Sequence, residues 1–145
     1  VSTDEDKINW VTIEEAEALQ KKQKRPIYID VYTTWCGPCK LMSSKTFTNK
    51  KVIEMMNSKF YAVKFDAESK KPLKFNGQEY SSPGRNHSFI SYLQVRAFPT
   101  SAFIDSDLNT ITSVAGYFTP KEFIPMLDYI GNDHYKSKDW EEFTK

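Results

Sequence analysis

The chain counts 145 residues, with 20 Lys and Arg against 19 Asp and Glu for a formal charge of +1, and 39% of its positions are hydrophobic. Such a length suits a single domain spanning residues 1–145, and ten Phe, eight Tyr and three Trp exclude a disordered chain. The near-neutral charge gives no basic face for nucleic acid, and no apolar run approaches the ~18–20 residues of a membrane span.

From Val1 to Lys7 there is neither an initiator Met nor the apolar stretch of a signal peptide. A start of this kind reads as processed or trimmed, which fits an exported protein after cleavage and a cytosolic one equally. Thr12-Ile13-Glu14-Glu15 then reads as a capping box opening a helix to about Lys22. The cations from Lys21 to Arg25 form a solvated helix end suited to the C-terminal dipole, and Pro26 stops the helix. Ile27 to Tyr32, short and rich in β-branched and aromatic residues, reads as a buried strand.

Trp35-Cys36-Gly37-Pro38-Cys39-Lys40 follows that strand and leads into helical sequence to about Lys59, with Thr48-Asn49 a candidate break. Phe60 to Asp66 reads as a second strand, and residues 67–87, holding Pro72, Gly77, Pro83 and Gly84, as a long loop. A short helix around 88–93 precedes Arg96-Ala97-Phe98-Pro99-Thr100. Ser101 to Ile104 and Thr110 to Val114 then form a hairpin. Thr119-Pro120-Lys121-Glu122 joins a capping box to proline at the first helical position and opens a helix to Gly131. The final amphipathic segment carries Trp140 and Phe143. This order predicts an α/β fold whose mixed sheet is covered by helices, with Phe47, Phe60, Phe65 and Phe103 in the core.

The only two cysteines, Cys36 and Cys39, lie three apart. A bridge closing so short a loop constrains little of the unfolded chain, so chemistry explains the pair better than stapling. Zinc would need two further ligands, and His87 and His134 stand singly and far away, each read as an ordinary surface residue. At a strand-to-helix junction Cys36 meets the unpaired N–H groups of a helix N-terminus, which should lower a thiol pKa from ~8.5 towards ~7 or below. Cys36 is thus the expected exposed nucleophile and Cys39, one turn in, the resolving thiol. Pro38 fits the first turn, where its missing N–H costs nothing.

The six-residue motif after this strand resembles the thioredoxin active site. The likeness extends to Asp30, to Phe98-Pro99-Thr100 where that family carries a cis-proline, and to Gly116, covering roughly residues 8–132. It implies the thioredoxin fold and reversible thiol–disulfide exchange. It also implies that Pro99 packs against the cysteine pair and that the Phe98 backbone holds a substrate strand by β-augmentation. Trp35, Gly37 and Pro38 would complete the substrate-binding surface, Trp35 as a gate or a cover for the loop.

Three departures accompany the likeness. The stretch from Lys71 to His87 reads as an insertion before the cis-proline, near the active-site end. The tail from Asp133 to Lys145 reads as a C-terminal extension. Ala62 falls where the family carries the lysine that accompanies its buried aspartate. Asp30, six residues before Cys36, is therefore expected beneath the active site without a matched lysine. Burial should raise its pKa and fit it to accept the proton of Cys39.

These features together describe a protein-disulfide reductase. Gly-Pro between the cysteines resembles the reducing members, and the His beside the second cysteine of oxidants and isomerases is missing. No glycine-rich phosphate loop is visible among the five glycines, so no cofactor is expected and electrons would come from an upstream protein donor. The expected substrates are protein disulfides, handled by a monomer. The rival class is a peptide-binding module on the same scaffold without redox turnover, which catalytic turnover of a protein disulfide would discriminate. The pattern looks most like exported thioredoxin-like proteins of Gram-negative bacteria, including the soluble end domain of the membrane disulfide reductase. That implies the periplasm, with the cytoplasm as the alternative.

Overall fold

The structure is a computed structural model that describes residues 6–145. The reading of the amino terminus falls largely on Val1 to Glu5, outside the described residues. Strands β1 (Trp10–Val11), β2 (Ile27–Tyr32), β3 (Tyr61–Asp66), β6 (Thr100–Ile104) and β7 (Thr110–Ala115) form one sheet in the order β1-β3-β2-β6-β7. β1, β3 and β2 run parallel, whereas β6 and β7 are antiparallel to their neighbours, so the sheet is mixed as expected.

Strand alternation divides the core into two layers. Ile27, Ile29 and Val31 point to one face with Val63 and Phe65, under helix α1 (Ile13–Lys22) and the short α4 (Phe89–Tyr92). Tyr28, Ala62 and Phe103 point to the other, against α3 (Lys50–Lys59) and α5 (Pro120–Gly131). Phe47, Phe60, Phe65 and Phe103 are all buried. Each such side chain contributes about 1.5–3 kcal/mol of transfer free energy. The expected capping boxes form: Thr12 with Glu15 opens α1, and Thr119 with Glu122 opens α5. At Gly131 a Cβ would sit 2.9 Å from the buried Phe60 ring, so glycine there permits close packing of α5.

The long helix after the cysteines breaks at Thr48-Asn49, as expected, and its last turn before the break is a π-turn. α2 (Gly37–Leu41) passes into a π-turn, Met42–Thr46, closed by the Phe47 N–H donating to Met42 O at 3.0 Å. Asn49 then caps α3, its side chain accepting from the amides of Lys51 and Val52.

The region read as a loop holds a hairpin, β4 (Leu73–Phe75) paired with β5 (Gln78–Tyr80). Asn76 and Gly77 both have positive φ, 50° and 80°, as a two-residue hairpin turn requires. His87 is fully buried, which corrects its reading as a surface residue. Its Nε2 lies 3.0 Å from Lys71 O, its Nδ1 accepts from the Phe89 amide at 3.1 Å, and its ring packs edge-on against Phe65. A histidine with both ring nitrogens bonded to backbone joins the two ends of the insertion. His134 is partly exposed. Beyond α5, α6 (Trp140–Thr144) folds back so that Trp140 and Phe143 pack on Tyr129 at 5.2 and 5.0 Å.

Candidate active site

Cys36 is the N-cap of α2, and its Sγ accepts a hydrogen bond from the Cys39 amide at 3.1 Å. The two residues form a disulfide with a Cα–Cα separation of 5.3 Å. Gly37 and Pro38, in the first turn between them, are exposed. Cys36 is not the exposed member expected: both cysteines are 4% exposed. The N-cap geometry turns its sulfur back over the first turn of α2, so helix position rather than accessibility distinguishes the two. A cleft of about 470 Å³ beside Cys39 is lined in part by Lys40, Ser43 and Lys64.

Asp30 lies on the Tyr28 face of β2, the face covered by α3 and α5, and is 1% exposed. Burial pushes its carboxyl up to about 6, against the pull of the Lys64 ammonium. The expectation of no matched lysine is corrected here. Lys64, directly opposite Asp30 in the β2–β3 register, brings its Nζ to 3.7 Å from Asp30 Oδ2, whereas Ala62 pairs with Tyr28. The misplacement is two residues, one full pleat, so both positions share a face and periodicity cannot separate them. Lys64 Nζ also donates to Ser43 Oγ at 2.8 Å and lies 4.9 Å from the Tyr32 ring centre. Asp30 Oδ1 is buried with no hydrogen-bond partner among the described residues.

The Phe98–Pro99 peptide is cis and leads into β6, whose Thr100 pairs with Val31 at the active-site end of β2. The Gly116 N–H donates to Pro99 O at 2.8 Å from a φ of +118°, a conformation that glycine adopts without strain. The Phe98 ring meets Trp35 edge-on at 6.2 Å, which sets the proline loop beside the cysteine motif. Trp35 is 58% exposed, and its indole N–H donates to Glu68 Oε1 at 3.0 Å. The other oxygen, Glu68 Oε2, accepts from Arg85 Nε at 2.6 Å, and the Arg85 guanidinium lies 5.8 Å from the Trp35 ring centre.

Asp30, Trp35, Cys36, Cys39, Phe98 and Pro99 thus gather at one end of the sheet. Sequence reasoning missed Lys64, Glu68 and Arg85. A cation on the inward face of a strand signalled Lys64, and Asn76-Gly77 signalled the hairpin, but nothing local signalled that Arg85 reaches Trp35. Among the described residues no three His, Cys, Asp or Glu side chains come together as metal ligands would.

Comparison with known proteins agrees with this arrangement. Residues 13–131 match the thioredoxin-like domain family. Thioredoxin-like protein CITRX1 of Nicotiana benthamiana, a chloroplastic protein, is 30% identical over 121 residues, covering 81% of this chain and 53% of that protein. Thiol:disulfide interchange protein DsbD of Yersinia pestis is 24% identical over 111 residues, covering 75% of this chain but only 16% of that protein. The chain therefore spans about half the length of the first relative and a minor part of the second. A thioredoxin from Thermus thermophilus shares the fold with a TM-score of 0.67 at 16% identity, covering 86% of this chain and 87% of that one. With most of its length matched and the cysteine pair capping a helix at the end of the sheet, the chain belongs to the thioredoxin-like domain family.

Proposed function

We propose that the chain is a thiol–disulfide oxidoreductase that reduces protein disulfides. The observation carrying this reading is Cys36 at the N-cap of α2, its sulfur already receiving the Cys39 N–H. The same donor and the helix dipole stabilise the thiolate formed on reduction. Cys36 thiolate attacks one sulfur of a substrate disulfide, forming a mixed disulfide and expelling the other sulfur as a thiolate, which takes a proton from solvent. Asp30, with its carboxyl held at about 6 and largely ionised at pH 7, accepts the proton of Cys39. Cys39 thiolate then attacks Cys36 Sγ, closing the Cys36–Cys39 disulfide and expelling the second substrate sulfur as a thiolate, which is protonated as Asp30 gives up the Cys39 proton. Two electrons have passed to the substrate, and a dithiol protein donor restores the reduced pair.

In this reading the Phe98 backbone and Pro99 hold the extended substrate chain beside Trp35. The chain acts as one unit and as a monomer. We place it in the periplasm, on the motif's resemblance to exported proteins and on the likeness to the interchange protein of Yersinia pestis. Equilibration of the cysteine pair against redox buffers tests the direction of exchange. A midpoint of about −270 mV supports a reductase, and one of about −120 mV overturns it in favour of an oxidant.

A further inference from the structure

The insertion carries a cation to the redox end of the molecule and fixes it there. Lys70 Nζ donates to Gly84 O at 2.6 Å and to Ser82 Oγ at 3.3 Å, which ties down the loop just before Arg85. Arg85 Nε then meets Glu68 Oε2, and the guanidinium stands beside the exposed Trp35 ring. Glu68 is fully engaged, with one oxygen on the Trp35 indole and the other on Arg85, and these bonds hold its carboxyl below the usual carboxylate range. Arg85 is not fully engaged. Among the described residues, Nε–H alone of its five N–H donors has an acceptor, and the side chain is 75% exposed. The four terminal N–H bonds have no acceptor among the described residues. The cation next to the motif thus keeps its terminal NH2 groups open, while its counter-charge already accepts on both oxygens. Lys40 and Arg96, both exposed, flank the same end on α2 and on the loop before Pro99. The chain as a whole carries only +1, so this polarity is local.

We infer that Arg85 is a specificity-determining residue that selects disulfide substrates bearing an acidic side chain near the attacked cysteine. The inference rests on the exchange activity proposed above and names its substrate class. A guanidinium with two free NH2 groups receives a carboxylate in a forked pair. Both Phe98 and Arg85 lie against the Trp35 ring, so a substrate strand aligned on the Phe98 backbone passes beside the indole within reach of the cation. At ~3.3 Å per extended residue the acid belongs within about four positions of the attacked cysteine.

Two cyclic peptides of identical sequence, each closed by one disulfide and differing only in Glu or Lys beside the cysteines, test this with dithiothreitol as the terminal reductant. The wild-type chain should favour the Glu peptide by about fivefold in kcat/KM, the yield of one exposed ion pair, through KM rather than kcat. Added salt should shrink the preference. Arg85→Ala should bring the ratio to about one and Arg85→Glu should reverse it, about fivefold the other way. If Arg85 only braces Glu68 and Trp35, the variants slow both peptides alike and keep the ratio, which overturns the inference. Equal wild-type turnover of both peptides overturns it while leaving the exchange reading intact, and turnover of neither overturns both.

Discussion

In the proposed cycle Asp30 couples the chemistry of the site to its stability. A carboxyl held at about 6 in the fold against 3.8 ordinarily keeps its proton where the unfolded chain has lost it. Below about pH 4 both states are protonated and the group contributes nothing to pH dependence. Between about pH 4 and 6 the folded state binds more protons, so stability falls as pH rises, by about 3 kcal/mol in all. Asp30→Asn should therefore raise the urea midpoint at pH 8 and leave it unchanged near pH 4, and an unchanged midpoint at pH 8 would refute the assigned burial cost. The same variant should slow resolution of the mixed disulfide by about tenfold or more at pH 7 while sparing its formation, as stopped-flow measurement of both steps would reveal. Lys64 acts in the opposite sense. Its ammonium pulls the Asp30 carboxyl down, so Lys64→Met should move the pH midpoint of resolution upward. A profile that stays in place would remove Lys64 from the tuning of Asp30.

At the scale of elements, legibility followed how local each signal is. The two capping boxes were read from four-residue words because the hydrogen bonds that define them are four residues wide. The hairpin at 73–80 is hidden among prolines and glycines, although Asn76-Gly77 carries the turn chemistry. The π-turn after α2 has no local word at all, since its register is set by packing at both ends. The burial of His87 has no local signal because its partners, Lys71 O and the Phe65 ring, lie 16 and 22 residues away in the chain. Those partners make it the fastening of the insertion. His87→Ala would leave the buried Phe89 amide and Lys71 O unpaired and open a void against Phe65. We expect a loss of about 3 kcal/mol, read as a lower urea midpoint at constant slope. A loss under about 1 kcal/mol would mean the hairpin is held by its aromatic contacts alone.

For the molecule as a whole, the cysteine motif was legible because it sits on one strand-to-helix junction, whereas its surroundings come from four separate stretches of chain. Asp30 and Lys64 meet across two parallel strands, Phe98 arrives from the loop before β6, and Arg85 from the insertion. That assembly makes a single-residue test informative about the entire site. Replacing Cys39 by Ser leaves Cys36 at the N-cap and keeps the backbone amide bonded to its sulfur, but removes the group that in the proposed cycle frees it from a substrate. Cys39 is buried and Ser is close to it in size, so the fold should be kept. Reduced Cys39→Ser offered to a cell extract should accumulate mixed disulfides that dithiothreitol releases, and Cys36→Ser should accumulate few. Substrates caught in this way are ones that the whole surface has accepted, from the proline loop to the insertion. If Cys36→Ser traps substrates and Cys39→Ser does not, Cys39 is the attacking thiol, and the helix N-terminus has failed to choose the nucleophile.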